Sequence, residues 1–169
     1  ESRTQLSLFG YEKYFNQFVH LYKSNKLPNV ILLKGLKGIG KSTFVYHFSN
    51  FLLSKNENNN YSLKDKSINA NNKSYKNTLL NIHPNFYLID KKNDHKNIGI
   101  DEIRKLSDFL NKTTYLNNLK IVMIDNAEFL NINSANALLK ILEDSKENTY
   151  FFIIHNNLLN IQPTIKSRS

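Results

Sequence analysis

The chain has 169 residues and a formal charge of +9, with 40% hydrophobic and 12% aromatic content. That is enough apolar material for one domain with a core of its own, and no apolar run approaches the ~18 residues of a membrane span. Cysteine is absent, which excludes disulfides and thiolate zinc sites and is compatible with a cytoplasmic setting.

The positive charge favours polyanion partners, and both a Mg-nucleotide and nucleic acid qualify. Gly10 marks a turn, after which Tyr14, Phe15, Phe18, Val19 and Tyr22 recur as the apolar stripe of a helix. His20 lies beside that stripe with no second histidine at ligand spacing, and is read as a packed or solvent-edge residue. Pro28 cannot continue a helix, so the first helix ends before it.

Val30–Leu33 is a continuous apolar run, expected as a strand buried on both faces. Directly behind it stands G-x-x-x-x-G-K-S, with Gly35, Gly40, Lys41 and Ser42 in the required places and a further glycine at Gly38. Phe44, Val45, Phe48, Phe51 and Leu52 then recur at helical spacing, so the motif sits in a strand–loop–helix context. The residue types fit phosphate chemistry. Glycines let consecutive N–H groups turn inward, where a side chain would block a phosphate. A helix opening at Lys41 adds its N-terminal donors and positive dipole end. The Lys41 ammonium can reach β- and γ-phosphates, and the Ser42 hydroxyl can ligate Mg²⁺. A chance glycine turn is the alternative. The chain has only five glycines, however, and three of them fall between residues 35 and 40. The reading is a nucleotide phosphate site lined by Gly35, Gly38, Ile39, Gly40, Lys41, Ser42 and Thr43.

Residues 54–78 are dominated by asparagine, serine and lysine without periodicity. They are expected to form a polar, mobile insertion. His83-Pro84-Asn85 reads as a turn, and Phe86–Ile89 as a short strand ending at Asp90. Asp101 is expected to cap a helix that turns Ile100, Ile103, Leu106, Phe109 and Leu110 inward. Lys120–Ile124 is a second strongly apolar strand, closed by Asp125. Ser134 or Asn133 is expected to cap the next helix, which carries Ala137, Leu138, Ile141 and Leu142. A third apolar strand, Tyr150–Ile154, ends at His155 and Asn156. Strands alternating with helices predict an α/β fold with a parallel sheet, and ligands bind beyond the carboxyl ends of such strands. Gly35, Asp125 and Asn156 all fall there. An acid closing a strand is often only a turn or cap, but behind a P-loop it is the expected Mg²⁺-side carboxylate, direct or through water.

Asp125-Asn126-Ala127-Glu128, followed by Ser134-Ala135-Asn136-Ala137-Leu138-Leu139-Lys140-Ile141-Leu142-Glu143-Asp144, resembles the Walker B segment of bacterial clamp-loader AAA+ subunits. Pro163-Thr164-Ile165-Lys166-Ser167-Arg168-Ser169 is similar to the P-T-I-x-S-R-C ending of that family, with serine where cysteine is usual. Ile98-Gly99-Ile100-Asp101-Glu102-Ile103-Arg104 resembles the delta-prime branch of the family. The likeness runs from about Leu27 to Ser169 and omits only the polar insertion.

The resemblance implies a P-loop NTPase (AAA+) three-layer αβα domain occupying residues 1–169, with the family's lid and collar domains outside these residues. It implies ATP or ADP with Mg²⁺ and no zinc. The implied partners are the gamma/tau and delta subunits, the sliding clamp and primed DNA through the assembly, with no membrane involved. The domain alone is expected to be monomeric. Within the family Asn156 falls at the sensor-1 position, and Arg168 would reach the γ-phosphate of a neighbouring subunit in trans. On residues alone, Asn156 also reads as a turn cap and Arg168 as a surface arginine. Hydrolysing members carry a glutamate where this chain has Asn126, and an amide cannot accept a proton from water. Binding with weak or no hydrolysis is therefore expected. A gamma/tau-like motor ATPase and a stand-alone phosphotransferase are the alternatives.

Overall fold

The structure, a computed structural model, describes residues 2–91, 96–112 and 119–156. The chain divides into two compact units, one made of residues 1–28 and 40–86, the other of 29–39 and 87–169.

In the first unit, α1 (Glu12–Lys23) and α2 (Lys41–Leu53) pack through aromatic rings. Phe15 and Val19 of α1 are buried and His20 is exposed. The Phe15 ring lies edge-on to Phe44 and Phe48, with centroids 6.0 and 5.8 Å apart, and stacks on Tyr61 at 5.2 Å. Every residue of α2 from Phe44 to Asn50 is buried. A helix covered on nearly all sides has no polar face to spare, so its polar residues need partners inside the protein. His47, 0% exposed, has them: its Nδ1 lies 3.0 Å from the Tyr61 hydroxyl and its Nε2 3.0 Å from the Gln5 carbonyl oxygen. A carbonyl only accepts, so Nε2 carries the proton and Nδ1 accepts from Tyr61. Burial lowers the His47 pKa to about 4, and burial also raises that of Tyr61.

Residues 54–78 carry more structure than their composition suggests. They run into α3 (Lys73–Leu79), capped by Asn72, whose side chain accepts from the Tyr75 N–H. Asn50 Nδ2 donates to Asn72 Oδ1, and Asn72 Nδ2 to the Asn59 carbonyl. The Glu57 carboxylate accepts from the Lys73 and Ser74 N–H groups, where a helix start favours negative charge. His83 Nδ1 accepts from the Asn85 N–H, so its Nε2–H donates to Ser74 Oγ, which in turn donates to Glu57. The segment is held by side-chain amides, hydroxyls and one carboxylate. None of these leaves a hydropathy period.

The second unit contains the sheet. Among the described residues the strand order is β1-β4-β3-β2, with β1 Val30–Gly35, β2 Phe86–Ile89, β3 Lys120–Ile124 and β4 Thr149–Asn156. β4 is parallel to β1 and to β3. β3 is buried throughout, and β4 is buried as far as His155. Val30–Leu33 are only half-buried, in contrast to the expectation of a strand covered on both faces; among the described residues β1 pairs with β4.

α4 (Ile100–Asn111) and α5 (Ile132–Glu143) contribute Ile103, Leu106 and Phe109, and Ala135, Leu138 and Leu142, to a core shared with Val122, Ile124, Phe151 and Ile153. Two expected caps are corrected. The residue before α4 is Gly99, and Asp101 lies within the first turn, paired with Arg104 at 3.0 Å. α5 is capped by Asn131, whose Oδ1 accepts from the Ser134 N–H at 2.8 Å; Ser134 is buried, its hydroxyl 2.8 Å from the Ile98 carbonyl oxygen. Among the described residues no helix is long and apolar enough to cross a membrane.

Candidate functional site

β1 ends at Gly35 and α2 begins at Lys41, so Leu36–Gly40 form the connecting turn. Gly38 (φ +87°) and Gly40 (φ +94°) occupy the left-handed region, where a side chain is strained. A Cβ on Gly40 would also lie 3.2 Å from Tyr11 Cε2, whereas one on Gly38 would meet nothing within 4 Å. Gly35 is buried at the end of its strand, and Ile39 is exposed.

Gly40 is the N-cap of α2. It brings no capping side chain, and the first turn, with Lys41, Ser42 and Thr43 half-buried, contains no acid. A helix start with no carboxylate and a lysine as its first residue has the electrostatics of an anion-binding terminus.

The acid side of the motif belongs to the second unit. Because β1, β4 and β3 run parallel, their carboxyl ends share one edge of the sheet. Gly35 and Asn156 are register partners there, and Asp125 follows the last residue of β3. The strand before the phosphate turn and the strand before the acid are thus separated by β4, which brings Asn156 between them.

Each of these positions is tied down. The Asp125 N–H donates to the Ile89 carbonyl at 2.8 Å, and the Asn126 N–H donates to Asp125 Oδ1 at 2.8 Å. Asn126 has φ 53° and ψ 46°, a left-handed conformation that asparagine tolerates better than most residues. It heads a short 3₁₀ turn, η1 (Ala127–Phe129), and its Nδ2 donates to Asp90 Oδ1 at 2.7 Å. The Asn156 N–H donates to Glu128 Oε2 at 3.2 Å.

The sheet edge therefore gathers Gly35, Asp125 and Asn156 as the sequence anticipates, together with two acids it did not single out, Asp90 and Glu128. A signal for each existed. Asp90 closes β2 just as Asp125 closes β3, and Glu128 is the fourth residue of the acidic motif. Arg168 lies outside the described residues.

The Ser42 hydroxyl and Asp125 carboxylate are hard oxygen donors of the kind Mg²⁺ takes. No group of three or more His, Cys, Asp or Glu that could hold a metal ion occurs among the described residues. Mg²⁺ takes few protein oxygens and completes its shell with phosphate oxygens and water.

The family model described as DNA polymerase III, delta subunit, matches residues 10–169. The DNA polymerase III subunit delta' of Buchnera aphidicola subsp. Schizaphis graminum is 33% identical over 159 residues, covering 92% of this chain and 45% of that protein. The Escherichia coli K12 subunit delta' is 25% identical over 154 residues, covering 91% and 44%. The chain thus spans a little under half the length of these relatives.

Among solved structures, a DNA polymerase III gamma subunit-related protein from Thermotoga maritima superposes with a TM-score of 0.60 at 23% identity, over 90% of this chain and 43% of that one. The RuvB Holliday junction branch migration motor of the same organism gives 0.53 at 14% identity, over 99% and 47%. At such identities these neighbours establish the fold, which is that of AAA+ P-loop proteins. With a family model spanning nearly its whole length and delta-prime subunits among its relatives, the chain belongs to the delta-prime family of DNA polymerase III clamp-loader subunits.

Proposed function

We propose that this chain is the nucleotide-binding domain of a clamp-loader subunit that works in the cytoplasm with gamma/tau and delta subunits to place the sliding clamp on primed DNA. The domain binds ATP with Mg²⁺, hydrolyses it weakly or not at all, and lends Arg168 to a neighbouring subunit. The observation that carries the binding half is the left-handed pair Gly38 and Gly40 leading into a helix start that has no acid and opens on Lys41.

In this reading backbone N–H groups of residues 38–43 hold the phosphates and the Lys41 ammonium neutralises them. Ser42 and Asp125 are the residues that would hold the ion, whose contribution when bound is to offset phosphate charge. Asn126 supports the weak-hydrolysis half, since an amide has no basic oxygen with which to take a proton from water. The Arg168 guanidinium stabilises charge that develops on the neighbour's γ-phosphate.

Titration calorimetry with Mg-ATP tests the binding half. The chain should bind, and Lys41→Ala should weaken binding by tenfold or more, on the order of 1.4 kcal/mol or above. An absence of heat with any Mg-nucleotide would refute it. Brisk ATP turnover by the isolated subunit, lost in Lys41→Ala, would instead establish a motor ATPase. In the reconstituted assembly, Arg168→Ala should lower ATPase activity while leaving this subunit's own nucleotide affinity unchanged.

A further inference from the structure

We propose that Asp90 is a positioning residue of the nucleotide site: it fixes Asn126, and through Asn126 it sets the orientation of the Asp125 carboxylate. The inference rests on the nucleotide-site reading above and concerns a residue, Asp90, that no motif selects.

The end of β2 and the turn after β3 are joined by two adjacent ties. One is main-chain, from the Asp125 N–H to the Ile89 carbonyl. The other is the Asn126 Nδ2 donor on Asp90 Oδ1 at 2.7 Å. Asp90 is itself held, because the same Oδ1 accepts from the Lys91 N–H at 2.6 Å. Its carboxylate is exposed and accepts two bonds at one oxygen, which makes it a charge-assisted acceptor.

The effect on Asp125 is direct. Asn126 follows Asp125 directly and sits at φ 53°, and its N–H donates to Asp125 Oδ1 at 2.8 Å. The left-handed conformation is one that asparagine visits at some cost, and the Asp90 bond helps hold it. One Asp125 oxygen is thus engaged by the main-chain N–H of the same residue whose side chain Asp90 holds. Asp90 acts on the ion-binding acid through one intermediary, as second-layer partners of metal ligands do. The same geometry explains why position 126 carries an amide. A carboxylate there would face Asp90 at hydrogen-bond distance, and two ionised carboxylates so close repel.

The test is a reciprocal exchange. Asn126→Asp keeps the size of the side chain and its tolerance of the left-handed region, but sets acid against acid. Adding Asp90→Asn restores a donor–acceptor pair with the roles exchanged. Nucleotide affinity is measured with and without Mg²⁺ for the parent, N126D, D90N and D90N/N126D, and melting temperature is recorded for each.

We expect N126D to reduce the Mg²⁺-dependent gain in affinity by about tenfold, and the double variant to restore it to within about twofold. Affinity without Mg²⁺ should change by less than about twofold throughout, which a general loss of folding would not allow. Retention of the full Mg²⁺ effect in N126D, or failure of the exchange to rescue it, overturns the role of Asp90 alone. A parent that binds no nucleotide overturns the nucleotide-site reading and this role with it. The melting temperatures would then still show whether Asp90 and Asn126 are coupled, so the two failures are distinguishable.

Discussion

The main-chain N–H of Asn156 donates to the Glu128 carboxylate at 3.2 Å, fastening the last residue of β4 to the 3₁₀ turn that follows β3. Two candidate site segments from different strands are therefore linked by one side chain. Glu128→Ala should cost about 1 kcal/mol, the usual worth of a charge-assisted bond at a half-exposed position. Glu128→Gln, which keeps an acceptor oxygen, should cost less. Urea denaturation at neutral pH reads both, and an identical loss for the two variants would count against the bond.

Gly40→Ala tests the phosphate turn without touching a charged residue. At φ +94° any L side chain is strained, and its Cβ would also crowd Tyr11 Cε2 at 3.2 Å. A loss of about 1–2 kcal/mol is expected. Adding Tyr11→Ala should recover none of the backbone part, because that strain is local to residue 40. Thermal unfolding of the single and double variants measures the difference.

Lys120 is 6% exposed, and its ammonium donates to the carbonyls of Phe109 (2.9 Å), Leu110 (2.6 Å) and Lys112 at the end of α4, where the Lys112 N–H also reaches the Phe109 carbonyl. The ring of Phe109 lies beneath it at 5.3 Å. Burial, with a smaller contribution from Lys146, lowers its pKa. Lys120→Met keeps the stem but removes the ammonium from those carbonyls, and should destabilise the chain by about 2 kcal/mol. The loss would be read as a shift of the urea midpoint at unchanged slope.

His47 sets a pH dependence. Its pKa in the folded chain is about 4, below the ordinary value of 6.5, so between those values the unfolded chain binds more protons. Stability is full above about pH 6.5 and falls as the solution is acidified towards pH 4. Replacing His47 by Gln should flatten this part of the stability–pH curve while lowering stability at pH 7, since the bonds to Tyr61 and Gln5 are disturbed. His83, also held at about 4 by burial, leaves a remainder of the same sign. A His47→Gln profile as steep as the parent's would show that other groups dominate the acid response.

Much of this architecture is readable from the residues because it is written in hydropathy. β2 begins and ends where its apolar run does, β3 exceeds its run by Lys120 alone, and the G-x-x-x-x-G-K-S pattern places both the turn and the start of α2. β1 and β4 extend beyond their apolar runs, since Lys34 and His155 pair across the sheet, as do Gly35 and Asn156. Their extent is decided by the strand alongside and not by their own sequence. The α5 cap was harder to read, with Asn131, Asn133 and Ser134 all chemically able to fill it; the exit from the 3₁₀ turn selects Asn131. In residues 54–78 the contacts of Asn72, Glu57, Ser74 and Tyr61 depend on distant partners, which no local period announces. The ties of Asp90 and Glu128 escaped notice for the same reason.

The place of β4 in the sheet has a bearing on how this chain reaches its native state. Among the described residues β1 pairs with a strand that begins about 120 residues later, and β3 is joined to β1 by way of that same strand. On a ribosome the segment bearing the glycine-rich turn emerges early, and its pairing with β4 waits until that strand has been synthesised. Closure across so long a stretch makes for slow assembly.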